Sequence, residues 1–334
     1  MGKQKFLVTG GAGMIGSTLV KRLVNEGHDV IVVDNLWRGS REYLKDDNGG
    51  DIIDMEKSFF EYDLKKPGVI DDLLNGVDYI YHLADIVAGI GYVFNNQGSL
   101  FRDNFLINSN IIDSVRRCGT NIKGFIYVGT ACSFPAEMQT GIDAPPLREQ
   151  DQYPASPESA YGWSKLMGEY EAFLMEKELC IPVSVLSLHN VYGAPSDFNP
   201  ATSQVIPALV YKAICWPVDP FVVWGSGSQG RAFVHVDDVV DALLLTMAHG
   251  LGKGVIQIGP DVCISIKEIA ETVVEISGKP IDIQYDMTKP EGDRGRCADY
   301  SKARAVLGWE PQIDLKAGLT SLYQWVERRL DDNR

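Results

Sequence analysis

A tyrosine and a lysine four residues apart are the side chains of this sequence best suited to acid–base chemistry. Tyr161 and Lys165 stand in the stretch YGWSK, and this separation places them on one face of a helix. A cation beside a phenol favours the phenolate, so we expect Lys165 to lower the pKa of Tyr161 toward the working range. The pair could then take a hydroxyl proton while hydride leaves the same carbon. Taken alone, this spacing is more often a solvated helix face.

A glycine-rich stretch near the N-terminus gives that pair its context. Gly10, Gly13 and Gly16 follow an apolar run at residues 6–8 and open a helical pattern, which is the setting of a dinucleotide-binding loop. Gly10 permits a tight turn, Gly13 lets a pyrophosphate approach the backbone, and Gly16 permits close helix–strand packing. The N-terminus of the helix would supply N–H groups for the phosphates. The stretch therefore predicts a bound dinucleotide.

An aspartate at the end of the second apolar run distinguishes between the two nicotinamide cofactors. Asp34 lies 18 residues after Gly16, close to the ~20 expected for the acid that binds the ribose 2′-hydroxyl. A carboxylate there accepts a hydrogen bond from a free 2′-hydroxyl and repels a 2′-phosphate, so we expect NAD. Arg38 and Arg41 stand nearby and keep NADP open as the alternative.

A cysteine follows the fifth predicted strand, and two interpretations of it are open. A ketone acidifies the C–H bonds next to it, and a nearby thiolate can remove such a proton. The pKa of a free thiol is ~8.5, so a modest shift would suffice. On residue type alone, however, Cys132 is more often a small buried hydrophobic residue.

The elements that must position these residues are those of an α/β fold. Over the first 130 residues, short apolar runs alternate with longer amphipathic stretches, which predicts βαβ units and a Rossmann-type doubly wound parallel sheet. The predicted strands are residues 5–8, 30–33, 58–62, 79–83, 124–128 and 183–188. The predicted helices are residues 15–26, 105–118, 159–177, 236–248, 266–277 and 315–330.

The pattern changes after Asn190, where prolines become frequent and the βαβ rhythm fades. We therefore predict an NAD-binding domain over residues 1–190, rejoined by about residues 231–258. A smaller, mixed α/β substrate-binding lobe is predicted over residues 191–230 and 259–334.

The overall charge excludes several classes of partner. The chain has 334 residues and a formal net charge of −14, whereas nucleic acids and anionic membrane surfaces attract basic faces. No run approaches the ~18 apolar residues of a membrane span, and the N-terminus has no signal-peptide pattern. The six cysteines are widely spaced and form no CxxC pair, which indicates reduced thiols and a cytoplasmic protein.

Together, these residues resemble the extended short-chain dehydrogenase/reductase family over essentially the whole chain. The resemblance implies NAD as cofactor and a catalytic role for Tyr161 and Lys165. It also implies that Thr130 binds the reacting hydroxyl. The segment HLA at residues 82–84 matches the nicotinamide side of the cofactor site, and the segment DL at residues 63–64 matches its adenine side. We expect the imidazole of His82 to be structural.

Downstream segments resemble enzymes that act on nucleotide sugars. Asn190, in HNVYG, resembles their substrate-binding asparagine, and Arg231, in GSGSQGR, resembles an arginine that contacts the diphosphate. The stretch PEGDRGR, with Arg294 and Arg296, is similar to the arginine segment of GDP-mannose 3,5-epimerases. Guanidinium groups bind diphosphates bidentately. We therefore expect the three arginines to converge on one cleft inside an otherwise negative surface.

The resemblance also bears on the type of reaction. Sugar 4,6-dehydratases carry Asp-Glu after the threonine, and this pair is absent from Thr130-Ala131-Cys132. GDP-mannose 3,5-epimerases and GDP-fucose synthases carry a cysteine matching Cys132, which acts as a base. Those relatives also carry a histidine or lysine matching Gln204 or Val205, and neither residue here donates a proton usefully. Ser187 stands where many relatives carry arginine.

We therefore predict an NAD-dependent epimerase of a nucleotide-diphosphate sugar, with a GDP-sugar favoured. It would oxidise C4 transiently, exchange a proton at C3 or C5 through Cys132, and reduce C4 again. A C4 epimerase, in which Cys132 merely packs, and a C4 dehydrogenase or reductase are the alternatives. A non-catalytic NAD-binding scaffold is disfavoured because Tyr161 and Lys165 are both present. The resemblance implies a homodimer that pairs the helices around residues 105–118 and 159–177.

The predicted site residues fall into three groups, and no metal site is predicted. The catalytic residues are Thr130, Cys132, Tyr161 and Lys165. The cofactor-binding residues are Gly10, Gly13, Met14, Ile15, Gly16, Asp34, Asn35, Asp63, Leu64, Leu83, Ala84, Tyr161 and Lys165. The substrate-binding residues are Asn190, Arg231, Arg294 and Arg296.

Overall fold

The elements of the computed structural model span residues 2–46, 48–199, 202–289 and 294–332, which are the residues that the structure describes. The strands are β1 (Lys5–Thr9), β2 (Asp29–Asp34), β3 (Phe59–Glu61), β4 (Tyr79–His82), β5 (Gly124–Thr130), β6 (Val183–Leu188), β7 (Asn190–Tyr192), β8 (Val222–Trp224), β9 (Gly230–Arg231), β10 (Phe233–His235), β11 (Gly254–Ile258), β12 (Ile264–Ser265), β13 (Gln284–Asp286) and β14 (Gly295–Arg296). The helices are α1 (Met14–Asn25), α2 (Ile90–Asn95), α3 (Gln97–Cys118), α4 (Ala160–Leu179), α5 (Val205–Cys215), α6 (Val236–Leu245), α7 (Ile266–Ser277), α8 (Ser301–Leu307) and α9 (Leu315–Asp332).

Seven strands form one parallel sheet in the order β11-β6-β5-β4-β1-β2-β3. Its central strands are buried on both faces, which explains their nearly continuous apolar sequences. One face packs against α1 and α6, and the other against α3 and α4. The predicted doubly wound α/β fold is confirmed. The strand order reverses between β1 and β4, and such a reversal marks the ligand-binding edge of these sheets.

The chain returns to this sheet after leaving it. Strand β11 pairs with β6 along its whole length, and α6 packs against α1. Arg231, at the start of the segment predicted to rejoin, lies instead in a small separate sheet, so the return begins at Val236. The division into two domains stays a prediction.

The described residues of 190–235 and 259–332, which we call the C-terminal lobe, build a second core. Helices α5, α7 and α9 pack together around Leu209, Ile269 and Leu322. Strand β9 lies between β12 and β14, and two further pairs, β10-β7 and β13-β8, complete the lobe. The sequence pattern did not predict α5, which lies in the stretch after Asn190 where prolines are frequent. Pro207 lies in the first turn of the helix, where proline removes no helical hydrogen bond.

Candidate active site

A cavity of about 820 Å³ lies between the carboxyl ends of the sheet strands and the C-terminal lobe. Its walls come from the loops after β1, β2, β4 and β5 and from α5, β8 and β9. The predicted residues that line it are Gly10, Gly13, Met14, Ile15, Gly16, Asp34, Asn35, Asp63, Leu64, Leu83, Ala84, Thr130, Cys132, Tyr161, Asn190, Arg231 and Arg296. Lys165 is buried beside this set, whereas Arg294 is exposed and does not line the cavity.

The glycine loop shapes one end of the cavity. Gly10 adopts a φ of +69°, which favours glycine, and its carbonyl accepts the N–H of Gly13. A Cβ on Gly16 would lie 2.1 Å from the carbonyl oxygen of Gly10, so a larger residue would push α1 away. Helix α1 has no side-chain cap and no acidic residue in its first turn. Its first N–H groups are therefore available to a pyrophosphate.

Asp34 is held at the end of β2 by two backbone hydrogen bonds. Its Oδ2 accepts the N–H of Ala12 at 2.9 Å, and its Oδ1 accepts the N–H of Leu36 at 2.8 Å. Burial raises the pKa of Asp34, and these hydrogen bonds oppose the rise. A carboxylate has about four acceptor positions, so capacity remains for a ribose hydroxyl.

Arg38 and Arg41, which left NADP as an alternative cofactor, both pair with carboxylates. The Nε of Arg38 donates to Asp197 at 3.1 Å, and Arg38 also donates to the carbonyl of Val87. Arg41 pairs with Glu61 at 2.9 Å on the surface. Both guanidinium groups are already paired with carboxylates, so the site fits NAD better than a cofactor with an additional phosphate.

The start of α4 places the tyrosine and the lysine. Ser159 caps the helix by accepting the N–H of Gly162, which puts Tyr161 in the first turn and Lys165 one turn later. The hydroxyl of Tyr161 donates to Oδ2 of Asp85 at 3.1 Å, and Nζ of Lys165 lies 3.2 Å from the same oxygen. Asp85 was not among the predicted site residues. The available signal was an acidic residue shortly after an apolar strand, at the ligand-binding edge.

Asp85 changes the electrostatics expected from the sequence. Burial, together with the negative charge and hydrogen bond of Asp85, raises the pKa of Tyr161 well above its ordinary value. The expectation that Lys165 lowers this pKa is therefore wrong for this arrangement. The reasons are that the phenol is buried and that the lysine forms an ion pair with a carboxylate that also contacts the phenol.

Cys132 lies in the short helical turn that follows β5. The Oγ1 of Thr130 accepts the N–H of Cys132 at 3.2 Å and caps this turn. The Nη1 of Arg296 lies 3.2 Å from the sulfur of Cys132. A thiol next to a guanidinium is a common setting for a reactive cysteine.

The arginines of the lobe divide into a buried pair and an exposed residue. Arg231 on β9 and Arg296 on β14 stand opposite each other in register, and they are only 8% and 6% exposed. Arg294 is exposed at the edge of β14, and residues 290–293 of the same stretch lie outside the described residues. The predicted convergence of three arginines is therefore wrong for Arg294, because the strand pairing that directs the other two inward begins only at Gly295.

Comparison with known proteins identifies the family. Residues 6–259 match the model of the NAD dependent epimerase/dehydratase family. The chain belongs to this family. This membership confirms the resemblance to extended short-chain dehydrogenases/reductases and makes the chain an NAD-dependent enzyme.

Several known proteins align with this chain over most of their length. GDP-mannose 3,5-epimerase of Arabidopsis thaliana is 31% identical, over 99% of this chain and 84% of the relative. Probable GDP-L-fucose synthase 1 of Oryza sativa subsp. japonica is 28% identical, over 96% of this chain and 91% of the relative. The crystal structure of UDP-glucose 4-epimerase from Thermotoga maritima with UDP-glucose is 27% identical, covers 98% of this chain and 100% of that chain, and has a TM-score of 0.85.

Gln204 and Val205, the positions where the resemblance predicts no second acid, line the cavity at the start of α5. Lys212, two turns along the same helix, also lines the cavity, but its Nζ donates to the carbonyl of Val222 at 2.6 Å. Burial lowers the pKa of Lys212. The sequence analysis had not singled out this lysine.

His82 has both ring nitrogens occupied. Its Nδ1 lies 2.7 Å from Oγ1 of Thr9, and its Nε2 lies 3.0 Å from Oδ1 of Asn108. Burial lowers its pKa to about 3, which keeps the ring neutral. These contacts tie β4 to β1 and α3, in agreement with the structural role expected for this imidazole.

Proposed function

We propose that this enzyme is an epimerase of a nucleotide-diphosphate sugar that oxidises C4 transiently and exchanges a proton at C3 or C5, like GDP-mannose 3,5-epimerases. One observation carries the proposal: the thiol of Cys132, in contact with Arg296, opens into the same cavity as Tyr161 and the NAD-binding loop. A proton acceptor next to a C4 oxidation site is what ring-proton exchange requires. The 31% identity to GDP-mannose 3,5-epimerase over nearly the whole chain supports it.

Each proposed catalytic residue has a role that follows from its position in the cavity. When bound, NAD supplies the oxidising power that removes hydride from C4. Thr130 and Tyr161 hold the C4 hydroxyl. Tyr161 accepts the hydroxyl proton during oxidation and returns it during reduction. The resulting ketone acidifies the neighbouring C–H bonds, and Cys132 removes a proton there. The centre inverts only when a proton returns to the opposite face of the ring. Among the catalytic residues proposed, Lys165 keeps Tyr161 and the cofactor ribose in position.

The nucleotide end of the substrate fits the lobe side of the cavity. Arg231 and Arg296 present two buried guanidinium groups, and Asn190 lines the cavity beside them. Buried arginines that face a cavity suit a diphosphate because their planar donors match its oxygens. We propose a GDP-sugar as the substrate, following the two plant relatives. Arg294 is no longer included in this binding set.

A C4 epimerase is the second candidate function, and one observation favours it. Gln204 and Val205 provide no acid where double epimerisation would need one. In that reaction the ketone intermediate rotates in the cavity so that hydride returns to its other face, and Cys132 exchanges no proton. The structural relative with 27% identity is a UDP-glucose 4-epimerase.

Incubation in D2O separates the two functions. A panel of GDP-, UDP-, dTDP- and ADP-sugars is incubated with the parent enzyme, and products are examined by NMR for inversion and for deuterium on the ring. Ring-proton exchange predicts deuterium at C3 or C5, whereas C4 epimerisation predicts an inverted product without it. If the parent inverts C4 and leaves C3 and C5 unlabelled, the first function is wrong.

The Cys132→Ala variant tests the base directly. We expect deuterium incorporation at C3 and C5 to fall on the order of 100-fold or more, since general-base catalysis contributes roughly 10²–10⁴. Oxidation at C4 should persist, because Tyr161 and Thr130 are untouched. Cys180→Ser is the matched control, because this cysteine is exposed at the end of α4. Equal labelling by the Cys132→Ala variant and the parent would remove Cys132 from the mechanism.

We also propose that the enzyme is a homodimer. Helices α3 and α4 pack side by side, and their outer surface carries exposed aromatic residues. Phe105 is 41% exposed, Trp163 38% and Tyr170 55%. Aromatic side chains on adjacent helices suit burial against the same surface of a second chain.

We propose a cytoplasmic location for the enzyme. All six cysteines are unpaired thiols, as expected for a reducing compartment. No helix among the described residues combines the length and the hydropathy that a membrane span requires.

A further inference from the structure

The carboxylate of Asp85 makes two contacts that the proposed mechanism does not yet use. A single oxygen, Oδ2, accepts the hydroxyl of Tyr161 at 3.1 Å and lies 3.2 Å from Nζ of Lys165. Asp85 lines the cavity, and Lys165 is only 2% exposed. The phenol, the carboxylate and the ammonium group therefore form one hydrogen-bonded cluster at the wall of the cavity.

Other titratable groups surround this cluster, and none of them replaces Asp85. They are Glu169 on α4, Tyr127 on β5, His82 on β4 and Cys132 after β5. Glu169 is bonded to Gln152, and the hydroxyl of Tyr127 donates to the backbone of Lys165. Within the part of the chain that the structure describes, Asp85 is the one acceptor bonded to the hydroxyl of Tyr161.

In this hydrogen bond the hydroxyl of Tyr161 is the donor and the carboxylate of Asp85 is the acceptor. In this arrangement the tyrosine carries its own proton and cannot simply accept another from a substrate. Burial and the adjacent carboxylate also raise its pKa. A proton can enter the phenol oxygen from the substrate only if the original proton leaves, and Oδ2 of Asp85 is the atom that receives it.

We propose that Asp85 is a proton-relay residue that acts through Tyr161 during the oxidation at C4, a proposal that rests on the proposed function. The substrate O–H bond breaks and its proton moves to Oη of Tyr161. The Tyr161 O–H bond breaks and its proton moves to Oδ2 of Asp85. The electron pair of the C4–H bond leaves with the hydride, the chemistry that bound NAD supplies. Asp85 ends neutral and Lys165 stays charged, and reduction at C4 reverses both proton transfers.

A purely electrostatic role for Asp85 predicts the opposite result. If Asp85 only opposed ionisation of Tyr161, its removal would lower the pKa of the phenol and speed the oxidation at neutral pH. If Asp85 receives the proton, its removal slows the oxidation at neutral pH, and the rate returns only where the phenol itself ionises. The two roles therefore differ in the sign of one measurement.

The experiment uses Asp85→Asn, which keeps the shape and removes the charge. With a sugar nucleotide that the parent oxidises, single-turnover reduction of bound NAD is followed as a function of pH. We expect the rate at neutral pH to fall on the order of 100-fold and to recover as the pH rises. Asp85→Glu should restore part of the rate at neutral pH. A rate equal to or above that of the parent overturns the proposal, as does a loss that is the same at every pH.

Glu169→Gln is the matched control. It removes another buried carboxylate near Lys165, one that does not contact Tyr161. In this variant, the rate of NAD reduction should depend on pH as it does in the parent. If Glu169→Gln reproduces the pH profile of Asp85→Asn, the effect belongs to the charge around Lys165 and the relay is wrong.

A second measurement needs no substrate. The near-ultraviolet absorbance of tyrosinate is titrated in the parent and in Asp85→Asn, each corrected by the same protein carrying Tyr161→Phe. We expect Tyr161 to ionise at lower pH in Asp85→Asn, because the raising charge and hydrogen bond are gone. An unshifted titration overturns the proposal. If instead the shift occurs but no sugar nucleotide reduces bound NAD in the parent, the proposed function has failed while the coupling of Asp85 to Tyr161 stands.

Discussion

At the scale of single residues, two buried cations of the candidate site each contact a chemically active group. Lys165 pairs with Asp85, and Nη1 of Arg296 contacts the sulfur of Cys132. A buried charge needs a partner because desolvation is costly. The two contacts therefore hold the carboxylate beside Tyr161 and the thiol of Cys132 in position.

Glu169 is a buried carboxylate that makes the stability depend on pH. Burial raises its pKa from 4.5 to about 7. Between these values the folded state keeps a proton that the unfolded state releases, so stability falls as the pH rises through this window. We expect Glu169→Gln to remove this dependence and to stabilise the protein at alkaline pH, by roughly 3 kcal/mol at most. Thermal unfolding from pH 5 to pH 8 measures it; parallel curves for variant and parent would contradict it.

At the scale of elements, the carboxyl ends of three strands and the start of one helix build the candidate active site. The loop after β1 shapes one end of the cavity, Asp85 follows β4, and Cys132 follows β5. The first turn of α4 then brings Tyr161 against the last two. Parallel strands end at the same edge of the sheet, so residues far apart in the sequence meet there.

Gly162 allows α4 to approach the turn that carries Cys132. A Cβ on this residue would lie 2.1 Å from the carbonyl oxygen of Cys132, a backbone atom that cannot yield locally. We expect Gly162→Ala to lower the rate of sugar oxidation and to destabilise the fold by about 1–3 kcal/mol, the usual cost of overpacking. Activity assays and chemical denaturation measure the two effects.

Gly98→Ala is the control for that substitution. Gly98 lies in the first turn of α3, and a Cβ there meets no atom within 4 Å. Alanine in a helix is favoured over glycine by up to about 1 kcal/mol, so this variant should be as stable as the parent or more so. Equal behaviour of the two variants would show that helix propensity, not contact with Cys132, governs both.

At the scale of the whole molecule, the net charge of −14 and a phosphate-bearing substrate are compatible. Arg231 and Arg296 are buried in the lobe and face the cavity. At the glycine-loop end of the cavity, the N-terminus of α1 presents backbone N–H groups. Positive potential is thus concentrated where diphosphates would bind, while the acidic surface governs solubility.

The proposed dimer is tested at the same scale. Tyr170→Glu places a charge in the exposed aromatic surface of α3 and α4. We expect it to convert a dimer into a monomer, because a buried unpaired charge is costly. Light scattering coupled to size-exclusion chromatography measures the mass. Val218→Glu, on a residue that is 88% exposed elsewhere in the lobe, is the control and should leave the mass unchanged. A dimer that persists in Tyr170→Glu would exclude this surface.

The sequence by itself determined the fold class, the glycine loop and the helical pairing of Tyr161 with Lys165. These features depend on local periodicity. Apolar runs predict buried strands, the glycine spacing predicts a turn, and a separation of four residues predicts a shared helix face. Predicted strand ends agree with β1 to β6 within two residues. Family membership follows from the same motifs.

Only the tertiary structure decided which charged groups meet. Asp85 lies 76 residues before Tyr161 in sequence, yet the two share a hydrogen bond. Arg296 reaches Cys132 across 164 residues, while Arg294, two positions away, remains at the surface. Such encounters depend on strand order and on where a strand pairing begins, which no local pattern encodes. Burial and one of these encounters together raise the pKa of Tyr161, so the electrostatics of this side chain were decided by the fold.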